Sequence, residues 1–457
     1  MQTSIQGLPR QSLDNQASDE AIRKTRLLYV FVCLYVLAQS YMIPIAAIGP
    51  SWAIWPTLAD LAMIPLICLA ILGFRDEDSA NKYHIRFQKL LALMWCFGTM
   101  AYLYTIAFSM EREAFSYGFY FIFRFTEFCC LFWAVSRLPW THSRIDRLRV
   151  IVDVVLLITC IGVIFTFLGI IPLGKLIAHL PQSKAVSGPW VAYLLKEQFP
   201  EDGRGVGMVG YNHADGGVQI VALTAFRFSL ARSRIGLASG FLILIAVVAS
   251  FLTESRAGFA ALVFFLGTQF VRNPKMLLAC IPVALVGLII LDLRHEDMAA
   301  TFQRQQTILS ATEGDNLSGR QDIWKAYTGF MLERPSTFLI GAGLGASYPV
   351  TPNRSCHMTP LQYFFEMGIL GLGAYALIVW TIVTLLFRFE EGAKPLLFAY
   401  LALLIASMTM ETFWPIPYLS HFIGLCFLIL SSAMYKFPRG DVQGGGGALN
   451  RDSGVSM

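Results

Sequence analysis

Apolar runs close to 20 residues long recur along this chain, and that pattern restricts the fold more than any single motif does. Coiled into helices, runs of this length match the thickness of a bilayer's hydrocarbon core. Twelve such segments can be drawn, at 27–48, 53–73, 90–109, 116–136, 150–171, 212–230, 235–253, 257–271, 276–292, 361–387, 395–413 and 418–435. They are continuous rather than alternating, which excludes a strand barrel. Charged residues make up only 14% of the chain, against about 25% in soluble domains. The sequence therefore predicts an all-α polytopic membrane protein of about 12 transmembrane helices.

Basic residues set the expected orientation. The N-terminal segment carries Arg10, Arg23, Lys24 and Arg26, and the segments 74–89 and 137–149 are equally rich, whereas the short turns 49–52 and 414–417 carry none. Positive charge gathers on the cytoplasmic side, so both termini are expected there. The first apolar run is too long for the core of a signal peptide and reads as a retained helix. The expected organisation is a cytoplasmic segment 1–26, nine spans over 27–292, a long polar interval 293–360, three spans over 361–435 and a flexible tail 436–457. The net charge of +5 reads as loop topology, because no basic stripe with interleaved aromatics suggests nucleic acid.

Of nine cysteines, only Cys356 falls outside an apolar run, so no disulfide framework is expected. No CxxC spacing suggests a metal. Asp76-Glu77-Asp78 has the letter pattern of a nucleotide-sugar metal motif, but it lies among Arg75, Lys82 and Arg86 and reads as a solvated charge run.

The polar interval is where chemistry concentrates. Met298 to Leu309 and Gln321 to Leu332 read as short helices, the second with Trp324, Tyr327 and Met331 on one face. Arg334-Pro335 ends it, and GAGLG at 341–345 makes a turn. Four signals share the non-cytoplasmic side. They are Arg204 with Gly207, Asn212 and His213; Arg256 and Gly258 in TESRAG; Arg320 in SGRQDIW; and His357, nine residues before Glu366. Arginines bind phosphate oxygens through paired hydrogen bonds and keep their charge. A glycine such as Gly258 lets a substrate approach the backbone. Histidine titrates near neutrality and can take a proton from an attacking hydroxyl. Each residue also has a plainer reading: Arg256 as a helix-end cation reaching lipid phosphates, Arg320 as part of a solvated face, His357 as an exposed loop residue. Arg124 and Glu127, at i and i+3 inside the fourth span, read as a mutual pair. Asp60, Asp153 and Glu411 have no assigned role.

In order, spacing and sidedness, RGVGMVGYNHADGG (204–217), TESRAG (253–258), SGRQDIWKAYTGFMLERP (318–335), GAGLGASY (341–348) and HMTPLQYFFEMGILGLG (357–373) together resemble the O-antigen ligase and polymerase superfamily of bacterial inner-membrane glycosyltransferases. The resemblance covers roughly 200–390; earlier spans agree in number and topology. It implies a multi-span lipid-dependent glycosyltransferase fold with a long periplasmic loop bearing short helices. It implies transfer of a glycan from an undecaprenyl-diphosphate-linked oligosaccharide to a glycan or lipid-core hydroxyl at the periplasmic face, with inversion and without metal or other cofactor. By the same likeness, Arg256 and Arg320 hold the diphosphate, Arg204 assists, His357 acts on the acceptor hydroxyl and Glu366 orients His357. The implied partners are the bilayer, a chain-length regulator and a flippase. The competing expectation is a transporter or flippase of lipid-linked sugars, which would place charges near the bilayer midplane.

Overall fold

The computed structural model of the chain describes residues 10–42, 45, 56–73, 82–108, 112–172, 205–209, 213–230, 237–274, 281, 285, 295–306, 320–350, 356–389, 394–415 and 420–436. The described regular structure is helical: α1 Arg10–Ala38, α2 Leu58–Gly73, α3 Lys82–Phe108, α4 Arg112–Ser136, α5 His142–Phe167, α6 His213–Leu230, α7 Leu237–Leu252, α8 Arg256–Arg272, α9 His295–Gln306, α10 Arg320–Glu333, α11 Thr337–Ile340, α12 Ser347–Val350, α13 Thr359–Arg388, α14 Lys394–Ser407 and α15 Ser420–Lys436. Among the described residues a helix occupies eleven of the twelve apolar segments; the other, 276–292, lies outside them apart from residues 281 and 285. Four stretches, Lys82–Phe108, Ala114–Ser136, His142–Phe167 and Thr359–Arg388, are long and apolar enough to cross a bilayer. The protein is a membrane protein. Its outward faces carry Leu61, Ile64, Leu103 and Trp380, apolar side chains that a soluble fold would cover.

The bundle is organised around α6, which packs against α5, α7, α8, α14 and α15. From Asp215 to Leu230 every residue is buried, the mark of a helix enclosed on all sides. It crosses α8 closely. A Cβ added at Gly258 would come 2.8 Å from the backbone of Gly217. Gly258 therefore serves helix packing, not the substrate approach expected of it, because the backbone of α6 fills the space its missing side chain leaves.

Local chemistry fixes the helix starts. Ser255 caps α8 by accepting from the Gly258 N–H at 3.2 Å, and Thr141 does the same for α5 through Arg144. At α2, Asp60 accepts from the Thr57 backbone N–H at 2.6 Å and the Thr57 hydroxyl at 2.9 Å, a reciprocal cap of the S/T-x-x-acid kind.

The segment read as one span, 361–387, is broken. Gly368 has φ 65 and ψ −162 within α13, a conformation open only to glycine. A helix break frees carbonyls that lipid cannot satisfy. Here the glycine turn supplies the partners: the N–H groups of Ala342 and Gly343 donate to the carbonyls of Phe365 and Glu366 at 2.8 and 3.1 Å. The same turn wedges between α3 and α4. Leu344 accepts from the Thr105 hydroxyl at 2.9 Å, and Gly345, with φ 90, lies against the Ala114 carbonyl. We expect Gly345→Ala to lower stability by about 2–5 kcal/mol, summing a left-handed backbone and an overpacked contact. Thermal unfolding of the solubilised protein reads this; an unchanged midpoint would contradict the wedge.

Candidate active site

The described parts of the polar interval pack against one end of the bundle. Helix α9 rests on the α7–α8 turn, where Thr301 donates to Glu254 at 3.0 Å and Gln305 to the Phe251 carbonyl at 3.1 Å. Helix α10 buries Ile323, Tyr327 and Met331, the last two from the face read in the sequence. Tyr327 packs on Phe365 with ring centroids 4.3 Å apart, and the half-buried Trp324 donates to the Cys356 carbonyl at 2.8 Å.

Two arginines begin helices at this mouth. Arg256 is the first residue of α8 and Arg320 the first of α10. They are electrostatic neighbours: burial and then the positive charge of Arg320 push the Arg256 guanidinium below its usual range. Burial does the same to Arg320, and the negative charge of Glu411 offsets part of the shift. Two cations held within reach of each other define a place where an anion relieves repulsion.

Glu411 links Arg320 to His357. Its Oε1 accepts the His357 backbone N–H at 2.5 Å and lies 3.3 Å from His357 Nδ1. The carboxylate is buried, while the imidazole is 36% exposed. A proton on Nδ1 directed at Glu411 leaves Nε2 as the basic nitrogen. Surrounding bonds fix the loop: Cys356 N–H donates to Gln362 at 2.9 Å, and the Thr359 hydroxyl donates to the Met410 carbonyl at 3.0 Å. Burial pushes the Cys356 thiol well above its usual range, so it is a packed side chain. Among the described residues the only non-glycine positions with left-handed φ are Glu254, at φ 54, and His357, at φ 53. Both flank this mouth, and such backbone strain, about 1–3 kcal/mol per residue, gathers at functional sites.

Glu366, expected to orient His357, has its oxygens bonded to other groups. It is fully buried and accepts from the Gly345 N–H at 2.9 Å, the Gln362 amide at 2.7 Å and the Ser347 hydroxyl. It is linked to the His357 loop through Gln362, whose amide oxygen accepts the Cys356 N–H at 2.9 Å. It braces the glycine turn. Arg204, Asn212 and the acidic run 76–78 lie outside the described residues. Gly205, next to Arg204, is bonded through its N–H to the Leu252 carbonyl at 2.9 Å, four residues before Arg256.

Sequence reasoning left Glu411 without a role and did not consider Asp215. Glu411 was placed inside a span, 395–413, but α14 ends at Ser407. The residues Thr409 to Trp414 turn back over the mouth. The signal was present in an acidic residue directly ahead of Trp414-Pro415. Asp215, in the first turn of α6, is buried and within electrostatic range of Glu411. Below the mouth an apolar cavity is lined by Phe125, Tyr363, Tyr375, Ile382, Phe413 and Phe427. Through Phe413 it adjoins the Glu411 turn.

Deeper in the bundle, Arg124 pairs with Glu127 at 2.9 Å, as the spacing predicted, and also with Asp60. Asp60 in turn meets His421 Nε2 at 3.0 Å. Among the described residues no group of acidic, histidine and cysteine side chains is arranged to hold a metal ion.

Residues 241–376 match the family model described as O-antigen ligase. That stretch includes Arg256, Arg320, His357 and Glu366 and stops short of Glu411. No curated protein matches the chain.

Proposed function

From the match of residues 241–376 to the O-antigen ligase family model, we propose that the protein transfers a glycan from an undecaprenyl-diphosphate carrier to a sugar hydroxyl at the periplasmic face of the bacterial inner membrane. It acts as a surface-polysaccharide polymerase or an O-antigen ligase, with inversion and without a metal. The observation that supports this reading is a run of neighbours, Arg256 within electrostatic range of Arg320, Arg320 within range of Glu411, and Glu411 bonded to His357.

In this mechanism the acceptor hydroxyl oxygen bonds to the anomeric carbon as the bond from that carbon to the diphosphate oxygen breaks. His357 accepts the hydroxyl proton, and Glu411 holds the imidazole and balances the charge it gains. The diphosphate leaves with the bonding electron pair, and Arg256 and Arg320 offset its growing negative charge. Preorganised cations of this kind favour the transition state over the ground state. The apolar cavity under Phe413 offers room for part of the carrier's isoprenoid chain. A flippase would carry its charges along a crossing path. Arg124, Asp60 and Glu127 instead satisfy one another away from the mouth.

The test is transfer by purified protein in nanodiscs from a defined carrier-linked repeat. We expect transfer to persist with a chelator present. His357→Ala and Glu411→Gln should each lower the rate by about 10²–10⁴-fold, the range for positioned acid–base groups, while the protein stays folded. Full transfer by both variants would overturn the assignment.

A further inference from the structure

Among the described residues of the polar interval, one side is apolar and faces outward. Leu332 is 70% exposed and Leu339 59%, and Phe338 and Ile340 are exposed beside them. The buried side of the same segment, Met331 and Thr337, holds it to the protein, and Phe338 touches Phe364 with ring centroids 5.9 Å apart.

Two internal rulers give its height. From Ile369 to Arg388 there are 20 residues, about 30 Å of helix, which equals the hydrocarbon thickness. Gly368 therefore stands at the bilayer boundary on the side of the mouth, and the backbone of Leu339 abuts it. On α3, Thr105 lies 16 residues beyond the basic Lys89, or about 24 Å. It bonds Leu344, four residues past Ile340. Both helices set the segment towards the same face of the bilayer.

At that level its surroundings are already lipid-facing: Ile369 and Leu370, directly after Gly368, are exposed on α13. The Arg334 guanidinium stacks on Phe330 at 4.4 Å, the pairing of cation and ring found at headgroup height. We propose that Leu332 to Ile340 is a membrane foot, seated at the boundary between headgroups and acyl chains of the leaflet on the mouth side. The polar interval is then tethered to the lipid surface as well as to the bundle. Helix α10 runs from Arg320 at the mouth to this foot. The inference rests on burial and height, and holds whatever reaction the mouth performs.

Photocrosslinking tests it. A benzophenone amino acid is introduced at position 339, at 332 as a second reporter, and at 325, where Lys325 is 77% exposed on the polar face of α10. Each protein is reconstituted singly into nanodiscs of a fluorescent phosphatidylcholine and irradiated. We expect lipid adducts at 339 and 332 in several-fold excess over 325. Equal yields at all three positions would overturn the foot. So would crosslinks from 339 to a second copy or another protein when the same variants are irradiated in native membranes, because the patch would then be a protein interface.

Discussion

Arg320→Ala is expected to reduce transfer by about 10²–10³-fold, the loss that follows removal of one preorganised transition-state donor, without changing the amount of folded protein. Arg320 has its Cα at the start of α10, and the helix is held by Ile323, Tyr327 and Met331 further along. Losing the guanidinium leaves that packing intact. It also removes a cation that disfavours the charge on Arg256, so no buried charge is orphaned among the arginines. What is lost is the paired field on a leaving diphosphate. Lysine should restore little, since a compact ammonium cannot make the two parallel hydrogen bonds of a guanidinium. Inorganic pyrophosphate supplies a second readout. It should raise the unfolding midpoint of the native protein by ligand linkage, and raise it less in Arg320→Ala. Equal transfer by the native protein and Arg320→Ala, with equal pyrophosphate shifts, would remove Arg320 from the site.

The helices were legible because lipid imposes a length and a continuous apolar composition on each one, a constraint that acts locally along the chain. Arg256, Arg320 and His357 stood out as candidates for a related reason. Polar and titratable residues at the ends of apolar runs on one side have few places to go. Glu411 did not stand out, because three residues of apolar composition (Met408, Met410 and Phe413) extend the run beyond Ser407, where α14 ends. Hydropathy does not register that the chain has already left the helix. Glu366 presents the opposite case. Its sequence distance from His357 suggested contact, whereas Gln362 and the glycine turn, arriving from 341–345, take its oxygens. The break at Gly368 depends on that same distant turn. Nothing within 361–387 alone predicts it, because the groups that satisfy the freed carbonyls come from another part of the chain.

The contrast to Arg320 lies deeper in the bundle, where Arg124→Ala is expected to destabilise the fold itself, by about 3–5 kcal/mol, as removal of one partner from a buried ion pair does. Arg124 is 1% exposed and meets both Asp60 and Glu127. Taking it away leaves two carboxylates facing each other in a low-dielectric interior. Asp60 cannot turn to water, since Thr57 and His421 also hold it. Those bonds tie α2 and α15 to α4, and α15 follows the turn that carries Glu411. Loss of the arginine should therefore loosen the mouth as well as the bundle. Thermal unfolding and folded yield in membranes are the measurements, and neutralising the partners supplies the control. If the damage comes from orphaned charge, adding Asp60→Asn and Glu127→Gln to Arg124→Met should recover part of the lost stability. An Arg124→Ala protein as stable as the native one would mean that these contacts hold nothing together.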